Sequence, residues 1–302
     1  MEQRAFGKTG LQVSVLGFGG AEIGFEGAPQ SDVDHLLASA IDGGLNVIDT
    51  AECYVNSEEL IGNALRSRRD KVHLFTKCGH DRDAQFGLPD WHPDLLRQQI
   101  DRSLTRLKTD HVELLQLHSC DEETLRQGDV VEVLQEARAA GKTRFIGYSG
   151  DNEPSLFAVE SGVFDALQTT INIADQRSAT LTIPKAEERG MAVIAKRSVA
   201  NVAWWNGSEP PNNDYARPYW ERLKILGYDF LTRQGKVEIV GTALRFVISI
   251  PGVDVALVGT TNPSRWLENW LMITTGHLSA TEYETLRGRW EEVAGPDWVT
   301  LT

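Results

Sequence analysis

The stretch VHLFTKCGHDRDAQFGLPDWHPDLLRQQIDRSLTRLKTDHVELLQLH, residues 72–118, decides the fold. It opens and closes on short apolar runs, VHLFTK (72–77) and VELLQLH (112–118), with little polar alternation. Strands buried on both faces of a parallel sheet read this way. Between them, HPDLLRQQIDRSLTRLKTD begins with Pro93 near its first turn and sets Leu96, Ile100, Leu104 and Leu107 on one helical face. The segment is therefore a strand, a helix and a second strand joined by a crossover.

Outward from this unit the same alternation continues. Strands are expected at 12–18, 45–49, 72–77, 112–118, 143–149, 165–172, 192–196 and 253–259. Helices are expected at 31–44, with Ser31 or Asp32 as N-cap and Gly43–Gly44 as stop, and again over 123–140, 178–189, 236–249 and 263–274. RAFGKTGLQV (4–13) reads as a small hairpin turning at Lys8–Thr9–Gly10. About eight βα units in one chain predict a (β/α)8 TIM barrel, taken as a single domain over residues 1–302. The alternative is a doubly wound open sheet, but GFGGAEIG (17–24) does not give a clean GxGxxG before a first helix. The stretch 199–235, with Pro210–Pro211, an Asn/Asp cluster and several aromatics, reads as a long irregular loop after the seventh strand. Loops of this length are usually functional.

Composition narrows the functional classes. With 30 Lys and Arg against 43 Asp and Glu, the net charge is −13, which argues against nucleic acid or an anionic membrane as partner. Cys53, Cys78 and Cys120 form neither a CxxC pair nor zinc-ligand spacing, so no metal is expected and a reducing cytoplasm is the natural compartment. The charged start MEQRAFGKTG does not read as a signal peptide, and no apolar run approaches the ~20 residues of a membrane span. Oligomeric state is not legible in these residues.

In a barrel, the C-terminal strand ends carry the chemistry. NVIDTAECY offers Asp49 and Tyr54, LFTKC offers Lys77, and LLQLHS offers His118. Ionisable groups ending apolar strands are costly to bury unpaired, so three successive strands presenting them suggests that they meet. Each residue alone has a plainer reading: Tyr54 as packing, Asp49 as a cap, Lys77 as a solvated strand end, His118 as a core histidine. The cysteines beside these residues read as small packing residues, with Cys78 facing away from Lys77 because successive strand residues alternate faces.

The sequence resembles the aldo-keto reductase family over nearly its whole length. The matching pieces are LGFGG (16–20), NVIDTAECYVNSEELIGNAL (46–65), FTKCG (75–79), SLTRLKTDHVELLQLH (103–118), GYSGDN (147–152) and VALVGTTNPSRWLENW (255–270). The resemblance implies a catalytic tetrad. Tyr54 is the general acid, Lys77 and Asp49 tune it, and His118 orients the substrate carbonyl. Reducing a carbonyl builds charge on oxygen, and a nearby ammonium is expected to lower a phenol's pKa from about 10. It also implies a nicotinamide cofactor, NADPH in preference to NADH. Gly259, Thr260, Thr261, Arg265, Glu268 and Asn269 would hold its adenosine 2′-phosphate, where a guanidinium fork suits phosphate. Many members carry a lysine at the position of Gly259. Ser149 and Gln168 would bind the nicotinamide carboxamide, and Gly19, Gly20 and Ala21, with Asp49, would approach the cofactor.

Two departures stand out. The usual asparagine after Ser149 is Gly150, which Asp151 or Asn152 could replace. The usual ring-stacking tyrosine is replaced by Lys196 or Arg197, which would cover the ring, touch the pyrophosphate or, as strand-end cations, face solvent. Trp91 is expected at the substrate, and Trp204, Trp205, Tyr215, Tyr219 and Trp220 either wall an apolar pocket or pack. The implied activity is reversible reduction of a small aldehyde or ketone. The alternatives are an NADP(H)-binding regulatory or redox-sensing subunit with little turnover, and a cofactor-assisted dehydration.

Overall fold

The computed structural model describes residues 1–301. Strands β1 (Gln3–Ala5) and β2 (Gln12–Ser14) pair antiparallel as a hairpin. Eight further strands follow: β3 (Leu16–Gly19), β4 (Val47–Asp49), β5 (His73–Cys78), β6 (Val112–His118), β7 (Thr143–Ser149), β8 (Ala166–Thr170), β9 (Ala192–Lys196) and β10 (Val255–Gly259). They form a closed parallel barrel in chain order, with β10 sealing against both β9 and β3. Helices surround it, so the chain is a (β/α)8 TIM barrel with an N-terminal β-hairpin.

Two cores hold this arrangement. Inside the barrel, Val47, Phe75, Leu114, Ala166, Ala192, Ile194, Val255 and Leu257 pack with Phe6, Leu11 and Val13 of the hairpin. The hairpin thus plugs the N-terminal end of the barrel. Phe6 stacks on Phe75 at 5.3 Å, and Lys8 donates its N–H to the Gly190 carbonyl at 2.9 Å. Outside, the opposite strand faces meet the apolar helix faces, with Leu96, Ile100 and Leu107 of helix Pro93–Leu107 among them. The near-continuous apolar strands follow from burial on both faces.

Several expected boundaries shift. The run 12–18 is two strands rather than one, broken at Val15 as the chain passes from hairpin to barrel. There the Val15 N–H still donates to the Glu2 carbonyl of the hairpin (3.0 Å) while the Val15 carbonyl accepts from the Ala256 N–H of the barrel (2.8 Å), and the Ser14 N–H donates to Asn46 Oδ1 (2.6 Å). The first long helix is Gln30–Asp42 with Pro29 before it, so Ser31 and Asp32 lie inside its first turn and do not cap it. The expected helix 123–140 is Glu122–Gln127 and Asp129–Ala139, divided at Gly128, whose φ of 89° a helix cannot contain. The stretch 178–189 is also two helices, Ser178–Leu181 and Ile183–Glu188. Residues 199–235 are largely helical rather than irregular. They hold helices Arg217–Leu226 and Phe230–Arg233 and, before them, a kinked segment at 200–206 in which Ala200, Asn201 and Val202 take positive φ and interrupt the helical turns. Helix Ala280–Val293 was not expected, although Ser279 and Glu282 close a capping box at its start. Among the described residues, no helix is long and apolar enough to cross a membrane.

Candidate active site

The barrel register sets the site. Gly259 pairs with Gly19, and Gly19 with Asp49. Lys77 pairs with Gln116, His118 with Ser149, and Ser149 with Gln168. Residues far apart in sequence therefore share the C-terminal end of the barrel, where parallel strands leave their polar ends.

Lys77 and Asp49 form a buried ion pair. Lys77 Nζ donates to Asp49 Oδ2 (2.5 Å) and to the Thr50 carbonyl (2.8 Å), while Gln116 Nε2 donates to Asp49 Oδ1 (3.2 Å). Burial pulls the Lys77 ammonium down, but Asp49, Tyr54 and Cys53 together outweigh it and Lys77 sits above its ordinary range. Lys77 Nζ lies 5.2 Å from the centre of the Tyr54 ring, and the Tyr54 and His118 rings meet edge to face at 5.8 Å. Phe25 covers Tyr54 from another side at 5.5 Å. The structure thus brings together Tyr54, Lys77, Asp49 and His118.

The electrostatics differ from the expectation in one respect. Lys77 does pull the Tyr54 phenol down, but desolvation wins and pushes it up to about 12. The phenol therefore keeps its proton at neutral pH. His118 is held well below the usual imidazole range by burial, with Lys77, His80, Lys196 and Arg197 adding to it, so it is neutral. Its Nδ1 faces Cys53 Sγ at 3.5 Å.

The loop carrying Tyr54 is fastened from behind. Glu52, 3% exposed, accepts from Arg102 Nε (2.6 Å), Arg106 Nη1 (3.0 Å) and Gln99 Nε2 (3.0 Å). Gly24 lets helix Ala21–Phe25 lie directly on this loop, since a Cβ there would stand 2.2 Å from the Tyr54 carbonyl oxygen. Neither feature has a signal in the sequence alone, because each depends on which helix packs behind the loop.

For a nicotinamide cofactor, the fit rests on orphaned polar atoms. Ser149 Oγ and Gln168 Oε1 are buried without a hydrogen-bond partner, one able to donate and the other to accept. A carboxamide, with one carbonyl and one NH2, matches that pair. Asp151 and Asn152, either of which could replace the asparagine missing at Gly150, are both bonded within the protein. Asp151 accepts from the Thr170 N–H (2.7 Å) and Thr169 Oγ1 (2.9 Å), and Asn152 is engaged with Thr300 in both directions. A side chain at Gly150 would meet the Tyr148 ring at 2.4 Å from its hydroxyl.

Lys196 and Arg197 also look inward. Lys196 Nζ pairs with the fully buried Asp151 Oδ2 at 2.9 Å. Arg197 Nη1 donates to Thr170 Oγ1 (3.0 Å) and to the Leu301 carbonyl (2.7 Å). The tail at 299–301 is pinned across this side of the barrel, with the Leu301 N–H donating to Asp175 Oδ2 (2.7 Å) and Tyr219 Oη to the Leu301 carbonyl (3.4 Å).

At the expected phosphate loop, Asn262 caps helix Pro263–Ile273 by accepting from the Ser264 N–H at 3.0 Å. Arg265 and Glu268 are exposed and Asn269 is buried. Two acids, which carry no signal in the sequence alone, intrude. Glu22 lies against Gly259, where an added Cβ would stand within 2.7 Å of both carboxylate oxygens, and burial raises its carboxyl above the usual range. Glu26 accepts from Thr261 Oγ1 at 3.0 Å.

Trp91 donates from Nε1 to the His118 carbonyl (3.0 Å) and packs on the face of Gly79, where φ of 144° and a Cβ distance of 2.7 Å to the indole leave room only for glycine. Of the other aromatics, Trp204 and Tyr219 are buried, whereas Trp205 and Tyr215 are exposed. All three cysteines are free. Cys78 belongs to the outer core, facing away from Lys77, and burial raises each thiol.

Residues 15–291 match the Aldo/keto reductase family. The chain belongs to this family. L-galactose dehydrogenase of Arabidopsis thaliana is 28% identical, with the match covering 95% of this chain and 92% of the relative. Pyridoxal 4-dehydrogenase of Microbacterium luteolum is 30% identical, over 89% of this chain and 92% of the relative. The holo form of an aldo-keto reductase from Bacillus halodurans shares the fold with a TM-score of 0.82 at 24% identity, over 96% of each chain. As an aldo/keto reductase, the protein is an oxidoreductase of nicotinamide-dependent carbonyl chemistry.

Proposed function

We propose that this aldo/keto reductase reduces small aldehydes or ketones to alcohols, with Tyr54 as the acid that protonates the forming alkoxide. The observation carrying this reading is the convergence of a phenol, a buried ammonium–carboxylate pair and an imidazole beside two orphaned polar atoms suited to a carboxamide. A nicotinamide dinucleotide, when bound, would supply hydride chemistry at the carbonyl carbon. Ser149 and Gln168 would hold its carboxamide and so orient the ring toward the substrate. His118, neutral, donates from its free ring nitrogen to the carbonyl oxygen and stabilises the charge that builds there. Tyr54 passes its proton to that oxygen, and Lys77, fixed by Asp49, offsets the phenolate left behind. A raised pKa makes Tyr54 a poor acid toward water yet keeps it fully protonated for an alkoxide, which is far more basic.

For the cofactor, the reading is NADPH, supported by Arg265, exposed and in no ion pair among the described residues, at a helix N-terminal turn. A second reading, NADH, is favoured by Glu22 and Glu26 beside Gly259 and Thr261, since carboxylates repel a 2′-phosphate and accept from a free ribose hydroxyl.

Replacing Tyr54→Phe keeps the ring and removes the proton. The expected result is loss of aldehyde-dependent oxidation of the reduced cofactor, with cofactor affinity by fluorescence titration within about twofold. Retention of most turnover would remove Tyr54 from the role of acid.

A further inference from the structure

A second histidine stands at the mouth beyond the residues assigned above. His80 follows β5, and its ring lies edge to face with both His118 and Trp91, each at 5.0 Å between centres. Its Nδ1 is bonded to Asp90 Oδ2 at 2.8 Å, and Asp90 Oδ1 accepts from the Asp81 N–H at 2.8 Å. The backbone beneath it is clamped by fully buried Gln99, which donates to the His80 carbonyl (2.7 Å) and accepts from the Gly79 N–H (2.8 Å). The loop returns through the Trp91 N–H, which donates to the Gly79 carbonyl at 2.7 Å. The ring is therefore held in place, and its Nε2 has no protein partner among the described residues.

We propose that His80, oriented by Asp90, recognises a hydroxyl group on the carbon next to the substrate carbonyl, so that the preferred substrates are α-hydroxy aldehydes or ketones. This rests on the carbonyl-reduction reading. A carboxylate accepting from Nδ1–H leaves the lone pair on Nε2, which accepts an alcohol O–H. In an α-hydroxy carbonyl the two oxygens sit on adjacent carbons, a hydrogen-bond length apart. Two imidazoles in ring contact can each take one of them, His118 the carbonyl and His80 the hydroxyl. The His80 side chain is 29% exposed, so water satisfies Nε2 when the hydroxyl is missing. Discrimination is then on the order of tenfold, the worth of one hydrogen bond, rather than the far larger ratio of a dry polar site.

The test compares kcat/KM for 2-hydroxypropanal with that for propanal, as a ratio, in four proteins. The wild type favours the hydroxylated compound. His80→Ala lowers the ratio about tenfold, Asp90→Asn lowers it less, and His80→Gln, whose amide oxygen accepts the same O–H, restores most of it. A ratio unchanged in His80→Ala, even with both rates reduced alike, overturns the proposal and leaves His80 as a packing residue. Tyr54→Phe run alongside reads the parent reaction: if it still reduces both aldehydes, the acid assignment fails while the ratio still reports on His80. Turnover of neither aldehyde by the wild type overturns both.

Discussion

Replacing Asp49→Asn isolates the value of the buried pair. The two side chains have nearly the same shape, so the change removes a charge and little else. Lys77 and Asp49 side chains are 2% and 4% exposed, with 2.5 Å between Nζ and Oδ2. Without the carboxylate, the ammonium keeps the Thr50 carbonyl and a neutral amide oxygen. An orphaned buried charge of this kind costs about 3–5 kcal/mol. The amine has one escape, which is to lose its proton. Bringing it from its ordinary 10.5 to below pH 7 costs about 5 kcal/mol at ~1.4 kcal/mol per unit, so deprotonation caps the loss near the same figure. The pH dependence has a definite sign. In the wild type Lys77 lies above its unfolded value, so its contribution is fully present below about 10.5 and is lost as pH rises beyond it. In the variant Lys77 lies below its unfolded value, the unfolded chain binds more protons, and stability rises with pH. The gap between the proteins is therefore widest near neutrality and narrows toward about pH 10. Urea unfolding at about pH 7 and about pH 9.5, with equal slopes for the two proteins, measures it. A loss under about 1 kcal/mol at pH 7, or a gap that widens with pH, would refute the reasoning.

Glu58 is 1% exposed, and burial pushes its carboxyl up to about 7, despite the hydrogen bond from Thr76 and the guanidinium of Arg106. The folded state then binds more protons than the unfolded state between about 4.5 and 7, so stability falls across that window as pH rises, and Glu58→Gln is expected to flatten the slope and to stabilise the protein at pH 8 by up to about 3 kcal/mol in a thermal or urea melt. At the phosphate loop, Arg265→Ala is expected to weaken NADPH binding about tenfold or more and NADH about twofold or less in calorimetric titrations, whereas Glu22→Gln tightens NADPH; equal losses for both cofactors in Arg265→Ala would exclude a 2′-phosphate contact.

The architecture was legible in the order of residues because each barrel strand is buried on both faces and each helix on one, so their apolar patterns differ in period and recur. The strand ends also declared Asp49, Lys77 and His118, since an ionisable group closing an apolar run has few cheap reasons to be there. What the chain order withheld were properties of packed neighbours. Whether Lys77 or desolvation governs the Tyr54 phenol depends on how many atoms enclose it. Asp151 became the partner of Lys196 because β7 and β9 flank β8 and turn the two side chains toward each other. Glu22 reached Gly259 because β3 and β10 are joined only when the barrel closes. His80 met Asp90 because its loop folds back on Gly79. Local pattern is written along one chain, whereas burial, charge partners and close approach arise between segments, and only the closed barrel determines which segments meet.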